Sequence, residues 1–282
     1  VSTPRYALRS GTHKSVDPED EIEEKETKYI LRAGFREILS CCLRAPFSNP
    51  KAFSRAVLEA VRIGRRSHRG TLRHLIYLVE ATVLATWCRR DEIEHIHTHF
   101  ATNSAAIAML AGQLSNIPYS FTAHGSEEFE KAPMLSLDLK LLRAAFAVCV
   151  SSFGRSQLMR WTSPGQWGKI ELVHCGLDSD FLEKDVPLLP SAPRFVCVGR
   201  LGEHKAQLIL VDAVNRLKNE GVHCEVVMVG DGPMRPAVEA AISRNKLEKQ
   251  ITITGWVPGE RVNAEIEAAR ALILPSFSEN MP

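Results

Sequence analysis

The chain reads as an α/β protein of doubly wound parallel sheets, and three observations lead there. In the second half, apolar runs of strand character at 195–198, 222–229, 251–254 and 271–276 alternate with segments of helical spacing. A glycine or proline (Gly199, Gly230, Gly255, Pro275) breaks each run. The first half repeats the pattern with runs at 94–100, 119–123, 147–152 and 169–176. Two domains follow, 1–184 and 194–282, joined by a linker at 185–193 that carries Pro187, Pro190 and Pro193.

Composition narrows the function. At 282 residues, 45% hydrophobic and 24% charged, the chain is long enough for two ordinary domains. Its net charge of +2 gives no global field for nucleic acid. Seven cysteines contain no Cys-x-x-Cys pair, and Cys149, Cys197 and Cys224 sit in apolar runs, as reduced buried thiols of a cytoplasmic protein would. No apolar run approaches the length of a membrane span. The chain opens on Val1 and stops at Pro282, which reads as a fragment cut at both ends.

In the first domain a short strand is expected at 6–9, then an acidic, solvated stretch at 17–28. Helical spacing runs through Phe35, Ile38 and Leu39, with Pro46 and Pro50 ending that helix. A second helix from about Pro50 is expected to bury Phe53, Val57, Ala60 and Val61. A third, at 71–90, is expected to bury Leu72, Leu75, Ile76, Val79 and Val83. Between these two lie Arg62, Arg65, Arg66, Arg69 and Arg73. They form either a solvated face or a surface that docks on anionic headgroups, which would put the protein on the inner face of the plasma membrane. Gly64 and Gly70 argue against one continuous helix there.

The run at 94–100 puts His97 and His99 on one face. No cysteine or carboxylate stands beside them at ligand spacing, so no metal site is expected. A helix follows at 101–114, and the strand at 119–123 delivers His124-Gly125 to its carboxyl end, where such folds bind ligands. Helices at 139–144 and 153–161 flank the strand at 147–152. Asp178-Ser179-Asp180 has the spacing of a metal motif, but it follows a glycine turn and precedes Phe181, so a turn is the reading adopted.

The second domain opens on strand 195–198 and a loop with Arg200 and Lys205, beside a helix whose expected apolar positions are Leu208, Val211, Ala213 and Leu217. Two cations at the carboxyl end of a parallel strand, next to a helix N-terminus, make a seat for phosphate. After the next strand, Gly230-Asp231-Gly232 lets a diphosphate or sugar approach the backbone, and a helix is expected from Pro233. Gly255-Trp256-Val257-Pro258 ends the third strand, and Pro275-Ser276-Phe277-Ser278-Glu279 the last.

These motifs, in this order, resemble the donor-binding domain of GT-B glycosyltransferases of family 4. His97-x-His99-Phe100 followed by His124-Gly125 resembles the acceptor-side domain of the bacterial exopolysaccharide and colanic-acid-type members. The resemblance implies two Rossmann-like domains facing a cleft, the second incomplete, with 1–184 on the acceptor side and 194–282 holding the donor. It implies a retaining transfer of sugar from a nucleotide diphosphate-sugar to a glycan or polyprenyl-linked acceptor, without a metal cofactor. Arg200 and Lys205 would stabilise the departing diphosphate. His124 would contact the donor sugar, and Glu279, the first glutamate of a Glu-x7-Glu motif, would bond its hydroxyls. Gly125, Gly199, Gly230, Gly232, Pro233, Trp256 and Val257 complete the expected donor site, and Asp178 and Phe181 fall on a family turn. The motif's second glutamate would lie beyond Pro282, and the family's first glycine-rich loop is missing. Two alternatives stay open: a GT-B-like sugar-nucleotide epimerase with Glu127 and Glu128 as its nearby acid–base candidates, and a non-catalytic sugar- or lipid-binding relic.

Overall fold

The structure, a computed structural model, describes residues 5–7, 22, 24–176 and 188–280. Asp178, Ser179, Asp180 and Phe181, the start of the linker (185–187) and the first half of the acidic stretch (17–21, with 23) lie outside the described residues. The chain divides into two compact units: Glu24–Gly176 with the N-terminal strand and Asn280, and a second unit ending at Glu279.

In the first unit a two-stranded parallel ribbon pairs β1 (Tyr6–Ala7) with β2 (Lys28–Tyr29). Three helices follow: α1 (Phe35–Ser48), α2 (Pro50–Arg66) and α3 (Gly70–Arg90). Then β3 (Ile96–His99), α4 (Asn103–Ser115) and β4 (Tyr119–Ala123) lead into the short helices α5 (Ser126–Glu130), α6 (Ala132–Leu135) and α7 (Leu137–Arg143). The unit closes with β5 (Phe146–Cys149), α8 (Ser152–Trp161) and β6 (Ile170–Leu172). The sheet is parallel throughout, in the order β3-β4-β5-β6. Helix α4 is buried along nearly its whole length against this sheet and against α3, and its chain leaves through Asn116 in the left-handed region (φ 63°).

The helices correct three expectations. Pro46 does not end the first helix but sits inside it, in the last turn, where few backbone bonds remain to be lost. The second helix does start at Pro50, as expected, and Asn49 caps it, its side chain accepting from Ala52 N at 3.0 Å. In α2 the buried line is Ala56, Ala60 and Ile63, with Phe53 and Val57 only partly covered. In α3 the inward residues include Tyr77, Leu78, Ala81, Leu84, Ala85 and Cys88, while Leu72, Leu75, Ile76 and Val79 face outward. That helix is apolar nearly all round, so spacing could not choose its face. Small residues decided it, since a Cβ on Gly64 would lie 2.7 Å from Thr71 Cα. Arg66 also leaves the expected basic face, pairing with Asp138 at 2.8 Å.

The second unit is a Rossmann-like half: β7 (Arg194–Val198), α9 (Gln207–Asn219), β8 (Glu225–Val229), α10 (Arg235–Arg244), β9 (Ile251–Gly255), α11 (Gly259–Glu267) and β10 (Ala271–Leu272). All strands are parallel and their order is β10-β7-β8-β9. The pleat sends Val226 and Met228 to one face, against α9 and α10, and Val227 and Val229 to the other. Both faces are covered, which is why these strands are apolar runs rather than alternating ones. In α9 the buried positions are Gln207, Leu210, Val211 and Val214; Leu208 and Ala213, expected inside, are exposed. Helix α10 starts at Arg235, two residues after Pro233, and takes Pro236 in its first turn. The last strand pairs over only Ala271–Leu272.

Candidate active site

In the second unit, β7 continues into β8 and β9 on one side while β10 lies on the other. The loops after β7 and β10 therefore part at a topological switch point, where open parallel sheets bind ligands. Lys205 stands at the end of a 3-10 turn after β7, and Glu279 follows β10. The structure joins them, Lys205 Nζ donating to Glu279 Oε1 at 2.6 Å. Burial pushes the Glu279 carboxyl up, but the bond from Lys205 and its charge outweigh this and hold it below its ordinary range. A backbone bond from Phe277 N to His204 O (2.9 Å) ties the same two loops. Arg200 is exposed on the β7 loop, whose carbonyl accepts from Gln207 Nε2 at 3.0 Å.

The glycines have a structural duty that the sequence did not disclose. Gly230 (φ +138°) and Gly232 press against the β7 loop, and a Cβ would stand 2.2 Å from Gly199 O and 2.3 Å from Leu201 O respectively. Gly199 N bonds Val229 O, Leu201 N bonds Asp231 O, and Met234 N bonds Leu201 O. The Asp231 carboxylate holds Gly232 N and the Arg235 guanidinium, both at 2.7 Å. These bonds fix the two loops as one backbone platform. Trp256 is half exposed beyond β9, and Val257 packs on the small apolar cluster of Val196, Val227 and Val229. Sequence reasoning missed His204, whose charge acts on Glu279. Its place in the same turn as Lys205 was the available signal.

In the first unit, β3 and β4 carry a row of hydrogen-bonded side chains. The Ser120 hydroxyl lies 2.7 Å from both His95 Nε2 and His97 Nδ1, and His97 Nε2 lies 2.9 Å from Thr122 Oγ1. His99 Nδ1 meets His124 Nε2 at 2.8 Å. One proton fits between those nitrogens, so the pair is stable only while one ring is neutral. Burial, and then the neighbouring His99, push the His124 imidazole below its ordinary value. Among the described residues no group of three or more His, Cys, Asp or Glu is placed to hold a metal ion.

Below His124 lies a charged pair that sequence reasoning did not assign. The Glu128 carboxylate accepts from His124 N (2.7 Å), Gly125 N (2.9 Å) and Ala101 N. Lys140, fully buried, donates to the carbonyls of Ala101 and Thr102, each at 2.7 Å. Burial pushes Glu128 up against the pull of its three amides, and pushes Lys140 down to about 7 against the pull of Glu128. This pair fixes the loops after β3 and β4 to each other. Asn280, which groups with the first unit, adds a bond from Nδ2 to His124 O (2.7 Å) and accepts from Ser151 Oγ (2.6 Å). With Glu128 committed to three backbone amides, the acid–base role considered for it in an epimerase lacks a free carboxylate.

The family comparisons match this division. The description "Glycosyltransferase Family 4" fits residues 30–181, and "Glycosyl transferases group 1" fits residues 192–282. A Bacillus subtilis glycosyltransferase named for teichuronic acid biosynthesis, TuaC, is 27% identical over 224 residues, 72% of this chain and 53% of that protein. The 2-deoxystreptamine glucosyltransferase of Streptomyces kanamyceticus is 27% identical over 62% of this chain and 52% of its own length. The chain thus spans about half the length of these curated relatives. Among solved structures, sucrose-phosphate synthase from Thermosynechococcus elongatus superposes with a TM-score of 0.61, at 20% identity, over 75% of this chain and 56% of that one. The galactosyltransferase WaaB of the lipopolysaccharide outer core gives 0.52 at 20% identity, over 75% and 58%. With more than half of its residues matched by the family's own description, and the parallel α/β fold of its solved neighbours, the chain belongs to Glycosyltransferase Family 4 and has the GT-B fold.

Proposed function

We propose that this chain carries the sites of a retaining glycosyltransferase that moves a sugar from a nucleotide diphosphate-sugar to a glycan or lipid-linked acceptor in cell-surface polysaccharide assembly. The observation that carries the reading is the Lys205–Glu279 pair at the switch point of the second sheet, its lysine on the β7 loop that also carries the exposed Arg200 and against which Gly230 and Gly232 pack. The names of the curated relatives, a teichuronic acid biosynthesis glycosyltransferase and a 2-deoxystreptamine glucosyltransferase among them, support sugar transfer as the chemistry.

Each residue's task follows from its charge and place. Arg200 and Lys205 neutralise the leaving diphosphate, cations held in position before the charge develops. No metal ion is assigned to that task. Glu279, kept ionised by Lys205, accepts hydrogen bonds from sugar hydroxyls. His124, neutral and steadied through His99, offers its remaining ring nitrogen to the sugar. Gly125, Gly199, Gly230, Gly232, Pro233, Trp256 and Val257 make up the rest of the donor site.

The test is calorimetric titration of UDP and GDP against wild type, Arg200→Ala and Lys205→Ala. Each substitution is expected to weaken the favoured nucleotide about tenfold or more, the loss of one charge-assisted contact. Unchanged affinity in both variants would sink the phosphate assignment.

A further inference from the structure

We propose that helices α1, α2 and α3 together form a docking surface for an anionic phospholipid bilayer. The three pack on one another. The Trp87 indole of α3 donates to Glu37 of α1 at 2.7 Å, Cys42 of α1 lies 3.5 Å from Thr82 of α3, and Gly64 of α2 closes on Thr71 of α3.

What they turn outward is mainly apolar and basic, with Ser48, Ser54 and Thr86 as uncharged polar exceptions. Along α1, Phe35, Leu39, Leu43 and Phe47 recur every fourth residue and are all exposed, Phe35 at 78% and Phe47 at 86%. This stripe runs about 20 Å along the helix. Helix α3 presents Leu72, Leu75, Ile76 and Val79 at the same kind of spacing, Leu72 at 75%. On α2, Lys51, Arg55, Leu58, Arg62 and Arg65 form a third exposed line, and none of its four cations makes an ion pair among the described residues.

Carboxylates are missing from these faces. Each helix has one, and each is turned inward or engaged: Glu37 on the Trp87 indole, Glu59 buried beside Arg143, and Glu80 buried within α3. Arg66 and Arg69 are not part of the surface, being bound to Asp138 and the Tyr77 hydroxyl.

So much exposed leucine and phenylalanine is costly in water and calls for a partner. Unopposed cations interleaved with it match a surface that is anionic at the headgroup and apolar beneath. None of the helices is long and apolar enough to cross a membrane, so the attachment lies in the plane of the interface. Compared with the basic run expected from the sequence alone, the surface is wider: it adds Lys51, Arg55 and two apolar stripes, and drops Arg66 and Arg69.

The experiment is sedimentation of the full chain with vesicles, either phosphatidylglycerol mixed equally with phosphatidylcholine or phosphatidylcholine alone. Wild type is expected to partition about tenfold or more in favour of the anionic vesicles, falling as salt rises. The variant Lys51→Ser/Arg55→Ser/Arg62→Ser/Arg65→Ser should bind both kinds equally weakly. The variant Phe35→Ser/Phe47→Ser should keep the preference but wash off in salt. All replaced side chains are exposed, so unchanged thermal melts are expected. Equal wild-type binding to both vesicle types, or undiminished binding of the charge variant, overturns the proposal. So does a concentration-dependent dimer that the Phe35→Ser/Phe47→Ser variant abolishes, with no vesicle binding, since the occupant would then be a second copy. No nucleotide is present in the assay, so its outcome is separate from that of the transfer reading.

Discussion

Replacing Glu128 by glutamine should show how the loop bearing His124 is held. The substitution keeps shape and removes charge. The glutamine oxygen can still accept from His124 N and Gly125 N, but its amide then faces Ala101 N, donor against donor. Ala101 is fully buried, so its N–H finds no water. Losing a bond to a charged acceptor and stranding a buried donor costs about 2–4 kcal/mol. Lys140 loses its counter-charge as well, but with its ammonium already pushed down to about 7 it can discharge instead of remaining as a stranded cation. A total near 3 kcal/mol would lower the melting temperature by roughly 10 °C. Lys140→Met alone should also destabilise, leaving the carbonyls of Ala101 and Thr102 without their donor. The double variant should be about 1–2 kcal/mol better than the sum of the two, because the second change no longer breaks a pair.

The sign of the pH dependence follows from the same groups. A lysine whose folded value is depressed binds its proton more readily when unfolded, so folding stability rises with pH from about 7 toward its ordinary 10.5. The cost of Glu128→Gln should therefore be larger at pH 6 than at pH 9. Thermal melts at both values decide the matter. Strict additivity of the two substitutions, or a Glu128→Gln melt within about 0.5 kcal/mol of wild type, would refute the reasoning.

Gly232→Ala would drive a methyl group against Leu201 O and should destabilise the second unit by about 2–4 kcal/mol, seen as early hydrogen exchange in β7 and β8 with β3 to β5 unaffected. His99→Ala should raise the His124 pKa, because both the burial and the neighbouring charge that depress it are relieved; an NMR titration in which the value stays put would contradict this. For the Lys205–Glu279 pair, the depressed carboxyl contributes stability above its ordinary range and loses it as pH falls through the folded value. Lys205→Ala should accordingly flatten the acid limb of the second unit's unfolding curve, and an unchanged limb would show that the pair adds nothing.

Much of the fold was legible in the chain because burial on both sheet faces forces long apolar runs, and glycine or proline ends them. Every strand of the second unit falls on a run so marked, and His124 and the two cations follow the ends of such runs. The side each helix buries was not legible where the helix is apolar all round. In α3 the small residues that let neighbours approach closely decided it, leaving Leu72 and Ile76 outside. Nor could spacing order the strands. The sequence separates Lys205 from Glu279 by 74 residues, and they meet because β10 pairs with β7 on the side away from β8. In the sequence Glu128 reads only as an acid–base candidate beside Glu127, and Lys140 has no reading beyond its place in a helix. Only the packing of α5 and α7 beneath the loops after β3 and β4 takes both out of water, and a buried charge must find partners. There it finds backbone amides and carbonyls, which no pattern of side chains records.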